Sequence, residues 1–168
     1  CILVSRKIEG LENVVAEIKK NGGKAEAIAC NVGYIEQIDA LVDQIKEKFD
    51  KLDILVNNAA TNPYFGFMEG IDVGRWDKTF EVNLKGPFFL IQRSVELLAA
   101  SGNASVINVS SINGKRPAPL QGVYSITKAA LISMTKGLSK ELGGKNIRVN
   151  ALLPGLTKTK FSEALMES

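Results

Sequence analysis

Five short runs of aliphatic and β-branched residues alternate with four stretches whose apolar positions recur at helical spacing. That alternation limits the fold more than any other feature. CILVS (Cys1–Ser5), AEAIACNV (Ala25–Val32), LDILVNN (Leu52–Asn58), SVINVS (Ser105–Ser110) and IRVNALL (Ile147–Leu153) read as strands. LDILVNN is apolar on both faces, as strands buried in parallel sheets are. Between them, Leu11, Val14, Val15 and Ile18 make one helical stripe, stopped by Asn21-Gly22-Gly23. Ile35, Ile38, Leu41, Val42, Ile45 and Phe49 make a second and clearer one. The spacing predicts two further helices, over Asp72–Leu98 and Tyr124–Leu142. The order β-α-β-α-β-α-β-α-β predicts an α/β, Rossmann-like doubly wound parallel sheet with right-handed crossovers. Residues 1–168 read as one domain, with no internal repeat, linker or low-complexity segment.

Composition narrows the function classes. Basic and acidic residues number 21 and 18 and are interspersed, so the net charge of +3 makes no nucleic-acid footprint. No apolar run approaches the roughly 18 residues of a membrane helix. The chain has no histidine and no cluster of Cys or carboxylate ligands, which argues against a protein-built metal site. Cys1 and Cys30 fall at opposite strand ends, about 15 Å apart at strand rise. That is too far for a disulfide, so the expected setting is reduced and cytoplasmic. Asn103-Ala-Ser105 and Asn108-Val-Ser110 match the glycosylation sequon and are read as chance.

Ligands of such sheets bind outside the carboxyl ends of the strands. There stand Ser5-Arg6, Asn31-Val32, Asn57-Asn58-Ala59, Ser110-Ser111 and Pro154-Gly155. Tyr124 and Lys128 follow at the start of a predicted helix, four apart and so on one face. A phenol of ordinary pKa near 10 exchanges protons poorly at neutral pH, and a fixed ammonium nearby favours the phenolate. Ser111, ending another element, could donate to the same reacting oxygen. The three describe a site that gives a proton to, or takes one from, a carbonyl or alcohol oxygen. Alone, Y-x-x-x-K is a spacing that chance supplies often in a lysine-rich chain.

The wider constellation is more specific. Asn57-Asn58-Ala59-Ala60 after a strand, Asn83 in EVNLKG, Ser111 followed by I-N-G, Tyr124-x-x-x-Lys128, and Pro154-Gly155 with Thr159 beyond stand in one order. In order and spacing this resembles the short-chain dehydrogenases/reductases over essentially the whole chain. NNAATNPYFG, WDKTFEVN and LLPGLTKTKFS look closest to that family's NADPH-dependent carbonyl and retinal reductases. The resemblance implies that Tyr124 is the general acid/base, that Ser111 holds the substrate oxygen, and that Lys128 binds the nicotinamide ribose while lowering the tyrosine pKa. It implies that Asn83 anchors a water linking Lys128 to solvent and that Ser110 is structural. Asn31 and Val32 would flank adenine, Asn58 and Ala59 would line the cofactor ribose, and Thr157 and Thr159 would meet the nicotinamide amide beside Pro154-Gly155. The family's usual Asn-Asn-Ala-Gly reads NNAA here, so Ala60 needs a backbone that alanine can hold.

An acidic residue ending the first visible strand would hold the ribose hydroxyls of NAD. Ser5-Arg6-Lys7 stand there instead. Arg6 offers a planar cationic fork suited to a 2′-phosphate, with Ser5 as a further donor, so NADP(H) is expected; the other reading makes Arg6 a solvated charge. Tyr64-Phe65 are a substrate wall or a packed loop. The family's glycine-rich pyrophosphate loop has no counterpart: no G-x-G-x-x-G occurs, and Gly66, Gly70 and Gly74 read as turn glycines. CILVS then corresponds to the second strand of the 3-2-1-4-5-6 order, and the expectation is a chain lacking the first βα unit and the C-terminal part. Expected partners are a small-molecule carbonyl or alcohol and further copies of the chain in a homodimer or homotetramer, through apolar faces at Phe88, Phe89, Ile91 and Leu131, Ile132, Met134. No nucleic acid or membrane partner is expected. The alternatives are an acyl-thioester ketoreductase and a non-catalytic remnant unable to hold cofactor.

Overall fold

In a computed structural model that describes residues 1–157, the five strands form where the apolar runs predict, the fourth shifted by one residue and the others somewhat shorter. They are β1 (Ile2–Ser5), β2 (Glu26–Ala29), β3 (Ile54–Asn57), β4 (Ala104–Val109) and β5 (Ile147–Leu152). All pairings are parallel, but they fall into two sheets, β1-β2 and β3-β4-β5. One face of β3 leaves apolar side chains uncovered, with Ile54 at 61% and Val56 at 51% exposure. Leu55, between them on the chain, packs inward.

The helices are α1 (Ile8–Lys20), α2 (Ile35–Lys48), α3 (Val73–Phe80), α4 (Gly86–Ala100) and α5 (Gly122–Leu142). The stripe read along α2 is the buried one: Ile38, Leu41, Val42 and Ile45 are covered. On α1 no residue is fully buried. The single helix expected over Asp72–Leu98 is instead three pieces. Asp72 caps α3 by accepting from the Arg75 amide at 2.8 Å. A π-helical turn, Glu81–Lys85, then joins α3 to α4. Such widened turns gather at functional sites, and this one carries Asn83.

α4 holds the two sheets together. Leu90 and Leu97, seven apart, join the core beneath β1-β2, with Ile28, Ile38 and Leu41. Ile91 and Leu98, one position on, join the core beneath β3-β4-β5, with Ala104, Val106, Ile147 and Val149. Two stripes on one helix thus serve two cores, which accounts for Ile91 without an interface. Leu131 is buried as well, and Met134 packs on the second core. Cys1 is exposed and Cys30 buried, and both thiols are free, as their positions just before β1 and just past β2, at opposite ends of a parallel pair, require. Among the described residues no helix is long and apolar enough to cross a membrane, and no three His, Cys, Asp or Glu side chains gather as metal ligands.

Candidate active site

The second sheet and α5 bring Ser111, Tyr124, Lys128 and Asn83 together. Alternation along β4 turns Ala104, Val106 and Asn108 inward, and all three are buried. A buried amide must find partners. Asn108 accepts from Asn57 Nδ2 at 2.9 Å and donates to Thr135 Oγ1 at 2.9 Å, and that hydroxyl donates to the Leu131 carbonyl at 2.7 Å. One polar ladder therefore ties the end of β3, the end of β4 and the middle of α5. Asn108 is thus closed to glycosylation in the folded chain.

Just past β4, Ser110 donates to the Lys128 carbonyl at 2.8 Å, as befits the structural residue expected there. Ser111 then opens a 3₁₀ turn, Ile112–Gly114, its Oγ accepting from the Asn113 amide at 3.1 Å. Glycine is required at 114, because a Cβ there would stand 2.8 Å from the backbone of Lys128. The bare Cα lets the Ser111 turn lie directly on α5. The Ile112 amide donates to the Pro154 carbonyl at 3.0 Å, which brings the Pro154-Gly155 segment alongside. Beyond it the Thr157 hydroxyl bonds the Gly155 carbonyl at 3.3 Å. Thr159 lies outside the described residues.

Tyr124 is 8% exposed and its hydroxyl is hydrogen-bonded with Ser111. Burial pushes its pKa above the ordinary value, and the Ser111 bond offsets part of that rise. The lowering by Lys128 that the resemblance implies is not the balance seen here. The Lys128 ammonium is 5.5 Å from the Tyr124 ring centroid and donates instead to the Val109 carbonyl at 2.7 Å. Lys128 is itself 2% exposed, and burial brings its pKa down to about 8. At neutral pH the site therefore holds a protonated phenol above a still-charged, poorly solvated ammonium.

Asn83 is fully buried and all of its side-chain bonds are internal. Its Oδ1 accepts from the Thr61 amide at 2.8 Å, while Nδ2 donates to the Thr61 carbonyl at 2.9 Å and to Thr127 Oγ1 at 3.1 Å. Thr127 in turn donates to the Tyr124 carbonyl at 2.7 Å. The π turn thus clamps the segment after β3 to the second turn of α5. The left-handed non-glycine residues are Leu120 and Asn146, so Ala60 meets no backbone that alanine resists.

The nucleotide-side residues sit at strand ends as expected, but loosely. Ser5, Arg6, Asn58 and Ala59 are exposed, and Asn31 and Val32 are half-buried. An exposed guanidinium after β1 and amides after β2 and β3 are a donor set that fits the phosphorylated adenosine of a dinucleotide. Among the described residues no glycine-rich turn supplies its pyrophosphate. Three buried residues escape the motif reading: Thr127, Asn108 and Thr135. Asn108 had a signal, an amide on the inward face of an otherwise apolar strand.

Comparison with known proteins shows the family. The family model for short chain dehydrogenases matches residues 1–168, and the chain belongs to that family of oxidoreductases. It is 37% identical over 166 residues to dehydrogenase/reductase SDR family member 4 of Mus musculus, covering 99% of this chain and 60% of that protein. It is 38% identical over 159 residues to the 3-oxoacyl-(acyl-carrier-protein) reductase FabG of Thermotoga maritima, covering 95% of this chain and 64% of the relative. The chain thus spans about 60% of the length of the curated relatives it matches. Among solved structures, a metagenomic short-chain oxidoreductase in complex with NADP superposes with a TM-score of 0.87 at 30% identity, covering 93% of this chain and 71% of that one.

Proposed function

We propose that the protein is an oxidoreductase that moves a hydride between NADP(H) and a small-molecule carbonyl or alcohol, with Tyr124, Ser111, Lys128 and Asn83 handling the proton. The observation that carries this reading is the bonded Tyr124–Ser111 hydroxyl pair beside a buried, charged Lys128. The nicotinamide, when bound, supplies or accepts the hydride. In reduction the carbonyl oxygen gains a proton as its carbon gains the hydride. Tyr124 gives that proton: its O–H bond breaks, a new O–H bond forms on the product, and a phenolate remains. Ser111 orients the same oxygen. A phenol whose pKa burial has raised is fully protonated at neutral pH, which suits reduction. Lys128, charged below about pH 8, stabilises the phenolate as it forms. Asn83 holds α5 and the segment after β3 in register for this exchange.

Arg6 and Ser5 would bind the 2′-phosphate, Asn31 and Val32 the adenine, Asn58 and Ala59 the ribose, and Pro154, Gly155, Thr157 and Thr159 the nicotinamide end. NADP in the metagenomic neighbour supports the cofactor choice. A cytoplasmic, reduced setting suits the two free thiols. A second copy of the chain suits the apolar groove of about 520 Å³ lined by Phe80, Leu84, Phe88, Ala130 and Met134. Residues 1–168 are proposed as one partial catalytic domain.

The test is NADPH oxidation with a panel of ketones and aldehydes, in the wild type and in Tyr124→Phe. Turnover that disappears in the variant supports the reading; equal turnover in both defeats it. The FabG likeness favours one second reading, reduction of a 3-oxoacyl thioester by the same residues. A thioester substrate used in preference to every free carbonyl would select it.

A further inference from the structure

We infer that Gly86 is a positioning residue for the adenine end of the nucleotide, acting through the backbone of Val32. The inference rests on the cofactor reading above and assigns a role to the glycine that closes the EVNLKG run, in which only Asn83 has so far been given one. Gly86 is buried as the first residue of α4. A Cβ built on it would overlap the Val32 carbonyl oxygen and stand 3.1 Å from the carbonyl carbon and 3.2 Å from the Glu81 carbonyl oxygen. All three neighbours are main chain, so no flexible side chain could yield. Either the turn after β2 or the start of α4 would have to move.

That turn is otherwise closely held. The Asn31 side chain accepts from the Gly33 amide at 3.1 Å, Gln37 Oε1 accepts from the Asn31 amide at 2.7 Å, and the Tyr34 amide donates to the Asn31 carbonyl at 3.0 Å. Lys78 lies 5.0 Å from the Tyr34 ring centroid. A Cβ on Gly33 would meet Val82 Cγ2 at 3.4 Å. The Asn31–Tyr34 turn is therefore self-braced along its length and seated from below on Val82 and Gly86. These residues lie in and just past the π turn that carries Asn83. One buried turn fixes the height of the adenine contacts on one side and the start of α5 on the other. A displacement of about 1 Å far from the reacting atoms can cost roughly 10²-fold.

The experiment compares wild type, Gly86→Ala, Val82→Ala and Leu98→Ala, the last a core change in α4 remote from the turn. Amide NMR without ligand is combined with titration by NADPH and by adenosine 2′,5′-bisphosphate, which carries no nicotinamide. In Gly86→Ala the amides of Asn31, Gly33 and Tyr34 shift, and the Kd of both ligands rises roughly tenfold or more. Val82→Ala, which loosens the seat without a clash, raises both a fewfold and stands in for Gly86→Ala if that variant does not fold. Leu98→Ala lowers the Tm with both affinities within about twofold. Unchanged affinity in Gly86→Ala or its stand-in, or an equal loss in Leu98→Ala, overturns the inference while leaving the cofactor reading intact. A folded wild type that binds neither ligand overturns the cofactor reading, and this inference with it.

Discussion

At the ends of β3 and β4, Asn57, Asn108 and Ser110 are all under 10% exposed and each is bonded to a neighbouring element. At the end of β1, Ser5 and Arg6 are exposed, and the Ser5 hydroxyl bonds only the Lys7 carbonyl, two residues on. The three-stranded half arrives with its proton chemistry assembled, because its polar groups had to find partners inside the fold. The two-stranded half presents charge to solvent, where water or a bound ligand, not the protein, completes the bonding. Preorganisation belongs to the first half, and the proposed function assigns selectivity to the second.

The comparison can be broken most severely at Tyr124. Tyr124→Phe keeps the ring and removes the proton, so kcat falls roughly 10²–10⁴-fold, measured by NADPH consumption. Its Tm stays close to wild type if the hydroxyl serves chemistry more than packing. Next comes the pH dependence of Lys128, whose pKa is depressed to about 8 in the folded chain. Above that pH the unfolded chain binds more protons than the folded one, so stability rises with pH from about 8 towards the ordinary lysine value. The full contribution is about 3 kcal/mol. Denaturant unfolding at pH 7 to 10 shows this rise as the difference between wild type and Lys128→Met, a comparison that cancels the opposite trend from Cys30, whose thiol burial holds above its ordinary pKa. Over the same interval, reduction in the wild type slows as the ammonium deprotonates.

Asn108→Leu orphans the Asn57 amide and removes the partner of Thr135, costing about 2–3 kcal/mol in denaturant unfolding. No comparable residue exists at the exposed end of β1. Arg6→Glu there weakens NADPH binding roughly 10–100-fold, with little change in Tm and none in the Tyr124 chemistry. Val14→Ala, on the face of α1 that no core covers, shifts stability by no more than about 0.5 kcal/mol.

The same division explains what could be read without coordinates. Strand order and the stripe of α2 follow from apolar periodicity, which packing enforces directly. That Ser111, Tyr124 and Lys128 come together was legible through the family resemblance of the whole constellation, since the Tyr124–Lys128 spacing alone is common. The π turn at Glu81–Lys85 was not, since this stretch is apolar over more than one stripe and a rotation of the pattern by one residue leaves no clear break in it. Nor was the Asn83–Thr127 bond, which joins residues 44 apart through the fold alone. The pKa of Tyr124 departs from what the resemblance implies for a related reason. A lysine four residues on says which face it shares, but not that its ammonium is taken up by Val109 while burial governs the phenol.

The most direct measurement is titration of the chain with NADPH and with NADH, followed by cofactor fluorescence. The account predicts saturable binding with NADPH favoured at least tenfold, and a preference lost in Arg6→Glu. A folded chain that binds neither cofactor, or that favours NADH, contradicts it.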